Sequence, residues 1–232
     1  MKKIILNQKS NLLYDEVVSF KKAFDKLKAK NYEFILFPSV EYLSMFKDSK
    51  YLVGTQNFFS YTRGSFTGEI NLEALKDMGI NYTMVGHFER RKIIGESVEM
   101  SKEKLFKSLS SKCNTILCVG EDSKLKRRFS TIKKEITYYL KSIDSSSFKY
   151  LSIAYIPNYA ISVADKSIES ISKTLEKLRK FMKNKYGLEV EIYYGGYIEN
   201  SNIKEIFDMF DGIVLDNQSS DIGLIKELLK EL

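Results

Sequence analysis

The chain has 232 residues, 44% of them apolar and 29% charged, which is the balance of a globular protein with a large core. Its apolar runs are strand-sized, as in Ile4–Leu6 and Phe34–Phe37. None reaches the roughly 20 residues of a membrane-spanning helix, and the short run after Met1-Lys-Lys is too brief for a secretory leader, so a cytoplasmic protein without membrane partners is expected. Net charge is +7, but only six of the basic residues are arginine. The densest run, Lys124-Leu-Lys-Arg-Arg128 followed by Lys133 and Lys134, has little aromatic interleaving, so it reads as a solvated helix face and not as a nucleic-acid interface. Cys113 and Cys118 fall on one expected strand, where alternation points them to opposite faces. Neither a disulfide nor a metal site is expected from them.

Taken in chain order, strand-like runs occur at Lys3–Leu6, Tyr32–Pro38, Tyr51–Gln56, Tyr82–His87, Thr115–Gly120, Tyr150–Tyr155, Val190–Tyr194 and Gly212–Leu215. Between them the apolar spacing changes to three and four, the helical period. Val17, Phe20, Phe24 and Leu27 form one such stripe. Ile168, Ile171, Leu175, Leu178 and Met182 form a second, and Ile222, Ile225, Leu228, Leu229 and Leu232 a third. Asn71, Ser97, Ser167 and Asn200 stand where helix N-caps belong. Strand followed by helix, eight times without a proline- or glycine-rich linker, argues for parallel pairing. A doubly wound open sheet is the rival. Eight units in 232 residues favour closure into an α/β (β/α)8 barrel, a single domain over residues 1–232.

Reactive groups in such barrels sit at the C-terminal strand ends and in the loops that follow. Those positions carry Asn7-Gln-Lys9, Gln56-Asn57, Gly86-His-Phe-Glu-Arg-Arg91, Cys118-Val-Gly-Glu121, Ala154-Tyr-Ile-Pro157, Tyr194-Gly-Gly-Tyr197 and Asp216-Asn217. Of these, Asn7-x-Lys9, Gly86-His-Phe-Glu-Arg-Arg91, Cys118-Val-Gly-Glu121, Ala154-Tyr-x-Pro157 and Tyr194-Gly-Gly196, together with Gly54-Thr-Gln-Asn57 and Gly64-Ser-Phe-Thr-Gly-Glu69, make the whole chain resemble the triosephosphate isomerase family. That family interconverts dihydroxyacetone phosphate and glyceraldehyde 3-phosphate, in glycolysis and gluconeogenesis, without a cofactor. The resemblance implies His87 as the electrophile that polarises the carbonyl and Lys9 as fixed positive charge. It also implies Glu89 as the charge partner of Lys9 and Asn7 as a wall of the substrate pocket.

Departures from the family pattern fall on the chemistry. The family's base is a glutamate between tyrosine and proline, and Ile156 stands there. A hydrocarbon side chain accepts no proton, and general-base assistance is worth roughly 10²–10⁴-fold. Phe88 replaces a serine beside the histidine. The phosphate cradle differs as well: the lid reads Ser162-Val-Ala164, Tyr197 follows the Gly195-Gly196 pair, and Asp216-Asn217 replaces a second glycine pair. Side chains there crowd a phosphate that would otherwise meet bare backbone. An ionised Asp216 would repel it. The segment Tyr61–Glu69, with Thr67 and Glu69 in register, resembles the family's protruding third loop and implies a symmetric homodimer.

Three functions are compatible with this pattern. One is a homologue that has lost the isomerisation and acts as a ligand-binding or interaction protein. Another is an enzyme for a different carbonyl compound, with Asp216 or Glu199 as substitute base. The last is an active isomerase with a non-standard base.

Overall fold

The protein is described here by a computed structural model covering residues 1–28, 31–61, 63–121, 128–157 and 167–232, with Arg128 described in its backbone only. In chain order the elements are β1 (Lys2–Asn7), α1 (Tyr14–Phe24), β2 (Tyr32–Phe37), β3 (Leu52–Thr55), α2 (Leu72–Asp77), β4 (Tyr82–Val85), α3 (Phe88–Lys92) and α4 (Val98–Ser110). Then follow β5 (Asn114–Val119), α5 (Arg128–Leu140), β6 (Leu151–Tyr155), α6 (Ile168–Tyr186), β7 (Ile192–Tyr194), α7 (Ile203–Met209), β8 (Gly212–Leu215) and α8 (Ile222–Leu228). The eight strands run β1 to β8 in order around a closed barrel, and every described pair is parallel. Ile4, Ile5 and Leu6 are wholly buried, as are Ile116 and Leu117. Strands covered on both faces carry continuous apolar runs instead of alternation, which is why the sequence located them so closely.

Two compact units divide the chain, one comprising Met1–Thr83 with Ile198–Leu232, the other Met84–Tyr197. The first is built on β1, which pairs with β2 from Lys2↔Tyr32 to Asn7↔Phe37 and with β8 from Lys3↔Gly212 to Leu6↔Leu215. Its core is aromatic: the Phe24 ring lies 5.1 Å from Phe34 and 4.3 Å from Tyr51. Burial pushes the Tyr51 hydroxyl up to about 12, and that hydroxyl donates to the Phe24 carbonyl. In the second unit β5 pairs with β6 from Thr115↔Leu151 to Val119↔Tyr155, and β6 with β7 from Ile153↔Ile192 to Tyr155↔Tyr194. Helix α6 seals this unit with Ile171, Leu175, Leu178 and Met182.

Three of the expected caps form: Asn71 accepts from the Glu73 and Ala74 amides, Ser97 from Met100 and Ser167 from Ser170. Asn200 is not a cap. Residues 199–202 first wind a turn, with the Asn202 amide donating to the Glu199 carbonyl at 3.0 Å, so α7 begins later and Asn202 takes the cap position. Nor does every strand precede an α-helix. After β2 the chain meets Pro38 and folds only a 3-10 segment, Val40–Phe46, before β3. Both cysteines are buried and unbonded, Cys113 just ahead of β5 and Cys118 within it. Among the described residues no helix is long and apolar enough to cross a membrane, and no group of three His, Cys, Asp or Glu is placed to hold a metal.

Candidate functional site

Within each unit, polar residues gather at the strand ends. In the first, Asn7 closes β1 and is 3% exposed. Its Nδ2 donates to Asp216 Oδ1 at 2.8 Å. Two residues on, Lys9 adopts φ 54°, a left-handed conformation that costs a non-glycine residue about 1–2 kcal/mol. Among the described residues two other non-glycine residues share a positive φ, Lys112 and Ser142, and each lies just past a helix C-terminus, where such turns are routine. Lys9 terminates no helix, and a neighbour fixes its carbonyl: Gln56 Nε2 donates to the Lys9 carbonyl at 2.9 Å and to that of Phe37 at 3.0 Å. Strain held by neighbouring bonds is characteristic of functional positions.

The ammonium of Lys9 lies 3.9 Å from Asp216 Oδ2 and donates to Asn217 Oδ1 at 3.2 Å. Asp216 is itself anchored, because its carbonyl accepts from the Ser219 amide at 2.9 Å where the 3-10 turn Asn217–Ser220 begins. The Ser219 hydroxyl donates to the Asn7 carbonyl at 2.7 Å. Asn7, Lys9, Asp216 and Asn217 therefore form one connected cluster. Glu199, by contrast, accepts from the Ser201 hydroxyl at 2.6 Å.

The second unit holds His87. Gly86 turns the chain out of β4 at φ 75°, and a Cβ there would press to 3.3 Å from the Cys118 carbonyl. His87 then caps α3 with its own ring: Nδ1 accepts from the Glu89 amide at 3.4 Å. A ring whose Nδ1 is an acceptor carries its proton on Nε2 in the neutral state. The Glu89 carboxylate lies 3.8 Å from the same Nδ1. Behind α3, Glu96 is 5% exposed and receives Arg90 Nε at 2.6 Å, Lys104 Nζ at 2.6 Å and the Ser101 hydroxyl at 2.8 Å. Burial alone would raise the Glu96 carboxyl, but the hydrogen bonds from Arg90, Lys104 and Ser101 together hold it below its ordinary value.

Ile156 directly follows β6 and is 2% exposed, its amide donating to the Val119 carbonyl at 2.8 Å. Gly120 permits that approach, since a Cβ there would fall 1.7 Å from the Ile156 carbonyl oxygen. Close by in sequence, Tyr155 donates to Glu121 Oε1 at 3.0 Å, a buried bond between the ends of β6 and β5. The Gly195 amide donates to the Tyr155 carbonyl at 2.9 Å, Gly196 packs against Tyr194, and Tyr197 is half-buried. Ser162 and the rest of the lid sequence lie outside the described residues. Thr67 and Glu69 are exposed on a loop whose base is closed by the Phe59 amide donating to Ile70 at 2.9 Å.

Sequence reasoning gave no role to Gln56, Glu121 or Ser219. Gln56 and Glu121 stood in plain view in the strand-end motifs; Ser219 carried no signal at all.

Comparison with known proteins agrees with this architecture. A family model described as triosephosphate isomerase matches residues 2–231. The triosephosphate isomerase of Leptospira biflexa is 33% identical over 249 residues, covering 99% of each chain. That of Mycoplasma genitalium is 29% identical over 238 residues, 98% of this chain and 97% of its own. A third, from Alkaliphilus metalliredigens, is 36% identical over 171 residues, 70% of this chain and 69% of its own. A closed eight-stranded parallel barrel with its polar groups at the strand ends defines the class, and the chain belongs to the triosephosphate isomerase family.

Proposed function

We propose that this chain is a family member that has lost the interconversion of dihydroxyacetone phosphate and glyceraldehyde 3-phosphate. On this reading it serves in the cytoplasm as a homodimeric ligand-binding or interaction protein, acting as one domain. The observation that carries the reading is Ile156: a buried hydrocarbon, flanked without a gap by Tyr155 and Pro157, where the family resemblance requires a carboxylate. His87, Lys9 and Glu89 keep the residue types of electrophile, cation and charge partner. Ligand capacity can therefore outlast turnover. A substitute base is poorly supported. Asp216 directs its two oxygens at Asn7 and Lys9, and Glu199 is engaged with Ser201.

A coupled isomerase assay on the purified chain tests the reading. No turnover above that of His87→Ala is expected; turnover that His87→Ala abolishes would overturn it. Ile156→Glu is expected to recover little, because Asp216, Asn217 and Tyr197 still alter the phosphate-facing loops. Retention of Lys9, His87 and Glu89 favours as second reading an enzyme acting on another carbonyl compound. It predicts turnover of a compound that raises the melting temperature of the chain.

A further inference from the structure

We propose that Asp216, assisted by Asn217, sets the charge of the ligand this protein takes. Its carboxylate holds Asn7 and Lys9 as a resident anion, so an uncharged hydroxycarbonyl compound is admitted and a phosphorylated one excluded. The inference deepens the ligand-binding reading above and rests on it. It begins with topology. β1 and β8 are neighbours with Leu6 opposite Leu215, so the next residues, Asn7 and Asp216, leave the sheet side by side. One carboxylate oxygen of Asp216 then takes the Asn7 amide at 2.8 Å while the other faces the Lys9 ammonium at 3.9 Å.

Both ends of this arrangement are held in place. Gln56 pins the carbonyl of Lys9 at φ 54°, and the Ser219 amide pins the carbonyl of Asp216. Side-chain exposure is 17% for Lys9 and 15% for Asp216, so solvent screens the pair only in part. Their unit charges cancel. A phosphate ester, carrying nearly two negative charges at neutral pH, would meet a carboxylate already seated against the ammonium. A compound bearing only hydroxyl and carbonyl groups meets no such conflict. Its hydroxyl can donate to Asp216, and its carbonyl can accept from Asn7 or Lys9.

The test compares dihydroxyacetone phosphate with dihydroxyacetone, titrated by ligand-observed NMR against the full chain. Two variants are included, Asp216→Asn and the double variant Asp216→Gly/Asn217→Gly, with circular dichroism to verify folding. The wild type is expected to bind dihydroxyacetone and to bind its phosphate at least tenfold more weakly. In Asp216→Asn, which keeps the shape and an acceptor for Asn7, the affinity for the phosphate ester relative to that for dihydroxyacetone should rise tenfold or more. The double variant should shift in the same direction; should it fail to fold, the near-isosteric variant still decides. Equal wild-type affinities, binding of neither compound, or an unchanged ratio in Asp216→Asn would overturn the proposal. Turnover is not read in this experiment. A chain that isomerises the phosphate ester refutes the loss of activity, whereas the binding measurements, read without turnover, decide the role of Asp216.

Discussion

Glu96 shows how a single buried carboxylate can organise a strand-end segment. It stands between α3 and α4 and receives Arg90 from the first helix and Ser101 and Lys104 from the second. Removing it leaves Lys104, 4% exposed, without the carboxylate it bonds at 2.6 Å. Breaking a buried ion pair in this way costs about 3–5 kcal/mol. Glu96→Ala should therefore lower the unfolding free energy by that amount in equilibrium urea unfolding, and a loss below about 1 kcal/mol would contradict the burial argument. The acid limb carries its own signature. Because the folded carboxyl titrates below its unfolded value of 4.5, its contribution to stability is complete above that pH and is lost as pH falls through the depressed value. Urea midpoints followed from pH 7 to pH 3 should thus fall less steeply below pH 4.5 in Glu96→Gln than in the wild type.

At the scale of elements, the ends of β5 and β6 are locked to each other by main-chain geometry. Gly120 allows the Ile156 carbonyl to approach where any Cβ would collide at 1.7 Å, and the Ile156 amide bonds Val119 at 2.8 Å. Because the obstacle is backbone, it cannot rotate away. Gly120→Ala should destabilise the chain by at least about 2 kcal/mol in equilibrium urea unfolding; a neutral result would mean that these two loops separate easily. The strands were legible in the sequence because parallel strands buried on both faces write themselves as largely apolar runs, down to the start of β2 and both ends of β8. Less legible were features decided by a few local bonds. The start of α7 moved from Asn200 to Asn202 because a turn formed first, and the stretch after Pro38 stopped at a 3-10 segment. The Asp216–Asn7 bond was invisible for another reason. Its partners are 209 residues apart, and only the pairing of β8 with β1 brings them together.

For the whole molecule the telling surface is the aromatic group Phe59, Tyr61 and Phe66. Tyr61 is 55% exposed and Phe66 41%, and with Phe59 they form a ring cluster with centroids 4.9–5.5 Å apart. Aromatic side chains clustered in water mark a contact surface more often than an accident of composition. Leu13 and Tyr14 are exposed in the same unit, and Ile93 and Ile94 in the other. Sedimentation at micromolar concentration should report a dimer, and Tyr61→Ser/Phe66→Ser a monomer with a lowered melting temperature. A monomeric wild type would remove the homodimer from the proposed function.

Cys113 and Cys118, at 0% and 2% exposure, give the protein a built-in reporter of its own opening. An alkylating reagent has no access to either sulfur while the interior stays shut, so labelling can proceed only as fast as the structure breathes. Both thiols belong to the unit spanning Met84–Tyr197. Modification rates therefore time the unsealing of that half of the chain, with no engineered probe needed.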